Sequence, residues 1–254
     1  MIANTPRPRR LSLAIGTTVM MGLPGIAVLP LVLPRVAGLH PALLLINPTL
    51  LLLARAALGA LTAPQVGFRS GIVEWVMCLG RQEGRWLKGT TEAVLLGLAL
   101  GLGITLLDHG TRSLWQAGLG SPPSTFEDWR PAALIVGVLY EGITEEIIMR
   151  WGLMSVIVWL ASRVFAGLSW WASQRALWLG LGVAACLFAV AHLPVLLATN
   201  VEITPALATR TVGLNFVLGL IFGWLFASRS LESAILAHIG LHLGIGATHV
   251  TGML

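Results

Sequence analysis

Apolar residues run in long blocks along the chain, and polar positions fall mainly between the blocks. The blocks near 11–34, 42–62, 90–107, 131–162, 175–197, 205–227 and 231–250 match, within a few residues, the roughly 20 apolar residues that a helix needs to cross a bilayer. The pattern predicts an all-α, polytopic integral membrane bundle of about seven transmembrane helices. Segment 66–89 is different: Arg69, Glu74, Arg81, Arg85 and Lys88 mingle with Trp75 and Trp86, which predicts an interfacial amphipathic helix. The stretch 108–130, with Pro122 and Pro123 adjacent, reads as a polar loop.

Composition strengthens the membrane reading. The 254 residues are 56% hydrophobic and 11% charged, whereas soluble domains carry about 25% charged residues. Seven spans with short loops use most of this length, so the expected organisation is a single membrane domain over 1–254. The net charge of +5 does not point to nucleic acid, because the sixteen Lys and Arg are scattered between apolar runs. They fit topology instead. With a cytoplasmic N-terminus, Arg7, Arg9, Arg10, Arg69, Arg81, Arg85, Lys88, Arg163, Arg175 and Arg229 lie inside, and Arg35, Arg112 and Arg130 lie outside. This orientation suits a cell (plasma) membrane and leaves the C-terminus outside. The first apolar stretch exceeds a signal-peptide core and lacks an A-x-A site, so it is expected to remain as an uncleaved span.

Glycine pairs at four-residue spacing, Gly97 with Gly101, Gly219 with Gly223 and Gly240 with Gly244, predict close helix packing. Cys78 and Cys186 are far apart and lack metal-ligand spacing, so each is expected to be a buried free thiol.

Against this apolar background, the run LYEGITEEIIMRWGLM sets Glu141, Glu145, Glu146 and Arg150 inside the fourth block. Facing lipid, four such groups would cost on the order of 10 kcal/mol on insertion scales, so they must face the bundle interior. Glu146 and Arg150 stand at i and i+4 in the favourable order, leaving Glu141 and Glu145 without a local partner. His192 closes the fifth block, and His238 and His242 share one side of the last. Imidazoles at i and i+4 with a carboxylate suit water activation or zinc binding. Packing alone is the competing explanation for each of these groups. His40 and His109 fall in loops and His249 near the end of the chain, while Arg55 and Arg210 are close enough to span ends to snorkel.

Glu145-Glu146-Ile-Ile-Met-Arg150, then Phe188-Ala-Val-Ala-His192, then His238 resembles the motif order of the CPBP family, intramembrane proteases that include CAAX prenyl endopeptidases and Abi-like bacteriocin-immunity proteins. The resembling region covers approximately 131–250 and would form the catalytic core. The resemblance implies an intramembrane endopeptidase acting on a membrane-associated protein or peptide. In it Glu145 activates water, His192 shares that water and His238 stabilises the oxyanion, with Glu146 and Arg150 as supporting partners. His242 stands where many members carry an asparagine, and a neutral imidazole still donates one hydrogen bond. Trp151 intervenes between Arg150 and Gly152, where glycine often follows the arginine directly, which marks a divergent branch. Two routes stay open: a metalloprotease with zinc on Glu145, His192 and His238, or direct activation of water. Two further readings compete, a non-catalytic immunity or scaffold protein of the same bundle and a proton-coupled carrier built on intramembrane Glu and His.

Overall fold

A computed structural model describes residues 8–33, 40–77, 89–116, 131–165, 174–198 and 202–251. Helices account for nearly all of the described regular structure. In chain order they are α1 (Pro8–Val28), α2 (Pro41–Leu44), α3 (Ile46–Thr62), α4 (Gly71–Val76), α5 (Thr90–Trp115), α6 (Pro131–Phe165), α7 (Gln174–Val190), α8 (Leu193–Ala198), α9 (Pro205–Ser228) and α10 (Leu231–Thr251). Six stretches are long and apolar enough to cross a membrane: Arg10–Leu31, Ala42–Val66, Thr90–Trp115, Pro131–Phe165, Pro205–Ser228 and Leu231–Val250. The remaining expected span is shorter. α7 holds 17 residues, about 25 Å of helix, before the chain turns at Ala191 and His192 into α8.

The sequence placed a polar loop from residue 108, yet α5 continues to Trp115. Asp108 does not end the helix because its carboxylate is buried against Arg210. His109 is accordingly an exposed helix residue, and His40 caps α2 by accepting a hydrogen bond from the Ala42 amide. Cys186 is exposed on α7, not buried, since that helix packs through Ala184, Ala185, Phe188 and Ala189 instead. Cys78 lies outside the described residues.

Of the interfacial segment, only its beginning is described. Ser70 caps α4, and Trp75 stands 66% exposed beside an exposed Arg69–Glu74 ion pair. That pairing holds the Arg69 guanidinium above its ordinary pKa. Glu232 at the start of α10 ties this segment down: its carboxylate accepts from Ser70 Oγ at 2.6 Å, the Gly71 amide at 3.0 Å and the Ile72 amide at 3.1 Å. Two amides of the first turn of α4, which have no helical partner, thereby find one. The contact fixes the near end of the helix that carries His238 and His242.

α6 is the central helix. It is α-helical at its ends and takes the wider π-helical turn over Gly137–Glu145 and Ile147–Met154. The side chains follow that register, with the Thr144 and Ser155 hydroxyls donating to carbonyls five residues back, at Leu139 and Arg150. Its neighbours are α1 and α10 on the first π segment and α3 on the second. The seam between α5 and α10 is tightly closed by small residues. A Cβ on Gly97 would strike the Ala237 carbonyl, and one on Gly240 or Gly244 would come within 2.6 Å of the Val94 or Leu98 carbonyl. The two glycine pairs thus face one another, the arrangement that lets backbones touch where lipid supplies no hydrophobic drive. Trp151 fills the notch left by Gly59 of α3 and meets the Phe226 ring edge-on, which gives the divergent tryptophan a packing reason.

Candidate active site

α6 and α10 supply the polar groups, and their positions follow from helix register. Glu146 and Arg150 pair one turn apart, Nε to Oε2 at 3.2 Å, with both side chains fully enclosed. The other oxygen, Glu146 Oε1, lies 3.0 Å from His238 Nδ1. One carboxylate therefore orients both a guanidinium and an imidazole. The guanidinium stacks over the Phe188 ring at 4.9 Å, while its Nη1 and Nη2 are buried without a hydrogen-bond acceptor.

Beside this sealed cluster lies a more open one. His242 Nε2 is 3.2 Å from Glu141 Oε2, and the His242 ring stacks on His238 at 5.1 Å. Gly137 makes that placement possible, because a Cβ there would lie 2.6 Å from His242 Nδ1. Glu141, His238 and His242 offer ligand atoms within 4.8 Å of one another. The ligand set expected from the sequence was Glu145, His192 and His238; among the described residues the structure groups His238 with Glu141 and His242 instead.

His192 sits in the turn between α7 and α8, half-buried, with Nδ1 2.8 Å from the Phe188 carbonyl and its ring against the Phe188 edge at 4.7 Å. Phe188 also approaches His238 edge-on at 6.4 Å, and Phe222 stacks on that imidazole at 4.6 Å. A cavity of about 180 Å³ opens between α5, α6, α9 and α10, and Glu141, Phe188, His192, His238 and His242 all line it. The break after α7 is what lets a histidine at the end of one helix meet those from the middle of another.

Glu145 is not among the lining residues, although its Oε2 is buried and meets no hydrogen-bond donor of the protein. Of the three glutamates, Glu146 is fully partnered, Glu141 reaches a histidine and Glu145 keeps an unpartnered oxygen.

The sequence did not reveal the far wall of the cavity. Arg210 and Asn215 of α9 form it with Thr211, and Arg210 is not a snorkelling side chain: it forks onto Asp108 through Nε and Nη2 and stacks on Trp115 at 4.6 Å. The available signal was the i, i+7 spacing of Asp108 and Trp115, which places both on one face if the helix continues.

Three comparisons bear on this arrangement. Residues 127–244 match the family model described as type II CAAX prenyl endopeptidase Rce1-like. No curated protein and no solved structure matches the chain. The matched stretch holds Glu141, Glu145, Glu146, Arg150, Phe188, His192, His238 and His242, the residues that meet around the cavity and behind it. Through residues 127–244 this integral membrane chain is therefore similar to the Rce1-like family of type II CAAX prenyl endopeptidases.

Proposed function

We propose that the chain is an intramembrane endopeptidase in which Glu145 takes a proton from water and the resulting hydroxide attacks the carbonyl of a peptide bond. The observation that carries this is the unpartnered, buried Glu145 Oε2 four residues along α6 from Glu141, which lines a cavity together with three histidines, within a stretch that matches a protease family model. Glu146, by contrast, is engaged on both oxygens, with Arg150 and with His238. His192, with Nδ1 on the Phe188 carbonyl, directs its Nε2 to share that water.

Oxyanion stabilisation falls to His238, with His242 beside it. If His238 donates its Nδ1 hydrogen to Glu146, its Nε2 donates to an oxyanion only as the imidazolium. As a neutral imidazole the same Nε2 is a lone pair, and the carboxylate–histidine pairing is then the outer support common around metal ligands. The donor set Glu141, His238 and His242 fits zinc chemically, and a bound zinc would supply Lewis acidity and a more acidic water. Bound metal thus separates the direct and metallo routes.

The substrate is a membrane-associated protein or peptide, reached from within the bilayer of a cell membrane with the N-terminus in the cytoplasm. Detergent-purified parent and Glu145→Ala should be compared for cleavage of a prenylated peptide library, metal content and thermal stability. Cleavage by the parent and none by an equally stable Glu145→Ala is the expected result. Equal cleavage by both would remove Glu145 from the mechanism.

A further inference from the structure

The wall of the cavity opposite the histidines is rich in hydrogen-bond donors, and its chemistry selects a ligand. Arg210 carries five N–H groups and commits Nε and Nη2 to Asp108, which leaves three. The neighbouring Thr211 is 7% exposed, and its Oγ1 is buried without a partner, although the residue lines the cavity. Asn215 gives one amide hydrogen to the Thr211 carbonyl and retains another. A ligand that accepts hydrogen bonds and carries negative charge matches this set, and among the acceptors of a peptide chain the terminal carboxylate is the one that brings the charge to Arg210.

The Arg210 guanidinium is also held in place. Asp108 grips one edge, the Trp115 ring covers one face at 4.6 Å, and the side chain remains 28% exposed. Asp108 compensates the cation when the cavity is empty, so a charged anchor can wait inside the bundle without an unpaired charge. Glu141 on the other wall repels an anion and so directs it to the Arg210 side.

We propose that Arg210, oriented by Asp108 and assisted by Thr211, anchors the free α-carboxylate of a peptide chain end, setting the bond to be cut toward Glu141 and the histidines. This rests on the peptidase reading for its substrate class, and a C-terminal CAAX segment presents such a carboxylate on the last of the residues that follow its modified cysteine. At about 180 Å³ the cavity is smaller than the roughly 300 Å³ at the low end of ordinary ligand pockets, which suits a short chain end.

The test uses the full chain in detergent and two fluorescent peptides, each with a prenylated cysteine followed by three residues, one ending in a free carboxylate and one in an amide. Binding is measured by anisotropy and cleavage separately. The parent should prefer the acid by on the order of tenfold, the size of a charge-assisted contact. Arg210→Gln should bind both peptides alike, and Thr211→Val should lose a few-fold of the preference at unchanged thermal stability. Should Arg210→Gln fail to fold, the paired Asp108→Asn/Arg210→Gln variant retains a neutral hydrogen-bonded couple and serves in its place. Equal binding of acid and amide by the parent, or an acid preference that survives loss of Arg210, overturns the anchor. Acid-selective binding without cleavage would keep the anchor and remove the peptidase reading; cleavage without acid selectivity would do the reverse.

Discussion

Among the described residues, two arginine–carboxylate pairs lie inside this bundle, each with its guanidinium against an aromatic ring, and they differ in what surrounds them. Glu146–Arg150 is wholly enclosed and shares its carboxylate with His238, with Arg150 over Phe188. Asp108–Arg210 reaches the cavity through an arginine that is 28% exposed and rests on Trp115. The enclosed pair fixes the geometry of neighbours that do chemistry, and the open pair presents donors to whatever enters. A buried ion pair is weak evidence for stability in itself, so this distinction in access says more about role than the presence of the pairs does.

The largest expected effect concerns the carboxylate that belongs to neither pair. Glu145→Gln should lower turnover by about 10²- to 10⁴-fold, the usual worth of a general base, while thermal stability stays near the parent's because no protein partner of Oε2 is lost. Peptide cleavage and a melting curve on the same sample check both halves. Next comes the enclosed pair: Arg150→Ala leaves Glu146 charged in a fully buried site and should destabilise by about 3–5 kcal/mol, with activity lost as His238 loses its fixed partner. A melting shift as small as that of a surface substitution would show that Glu146 is not held as an ion pair. Arg210→Ala should cost less stability, about 1–2 kcal/mol after allowance for its partial exposure. If it proves as destabilising as Arg150→Ala, the contrast between an enclosed and an open pair fails.

These two pairs also show what was legible in the sequence. Glu146 and Arg150 are four residues apart in one helix, so their pairing follows from local register. Asp108 and Arg210 are separated by 102 positions, and only the packing of α5 near α9 brings them together. The apolar blocks gave the helical membrane class because hydropathy and length suffice to identify a span. The glycine spacing on α5 and α10 likewise marked a seam that the fold closes. Single-helix patterns could not show the π-helical course of α6, the break after α7, or the grouping of Glu141 with His242 across two helices. Each depends on which faces meet. The motifs therefore named the neighbourhood of the site, whereas the cavity's second wall, built from a supposed loop residue and a supposed snorkelling arginine, stayed hidden.

The smallest predicted effect tests whether the open side needs fine placement. Gly137 lies in the first π-helical stretch of α6, and the His242 ring rests where its side chain would be. Gly137→Ala places a methyl 2.6 Å from His242 Nδ1, so the ring must rotate or retreat by most of an ångström to reach an ordinary contact of 3.4 Å. Helix propensity favours alanine over glycine by up to about 1 kcal/mol, which offsets part of the strain and keeps the fold near parental stability. His242 would nevertheless shift against Glu141 and against its stacked neighbour His238. Misplacement by a full ångström costs about 10²-fold in well-positioned chemistry, so a displacement somewhat short of that should lower cleavage by about tenfold. Steady-state kinetics and a melting curve on Gly137→Ala provide the check. Unchanged kinetics in a folded variant would mean that His242 tolerates movement and acts as packing for His238, leaving the enclosed Glu146–His238 contact to set the geometry alone.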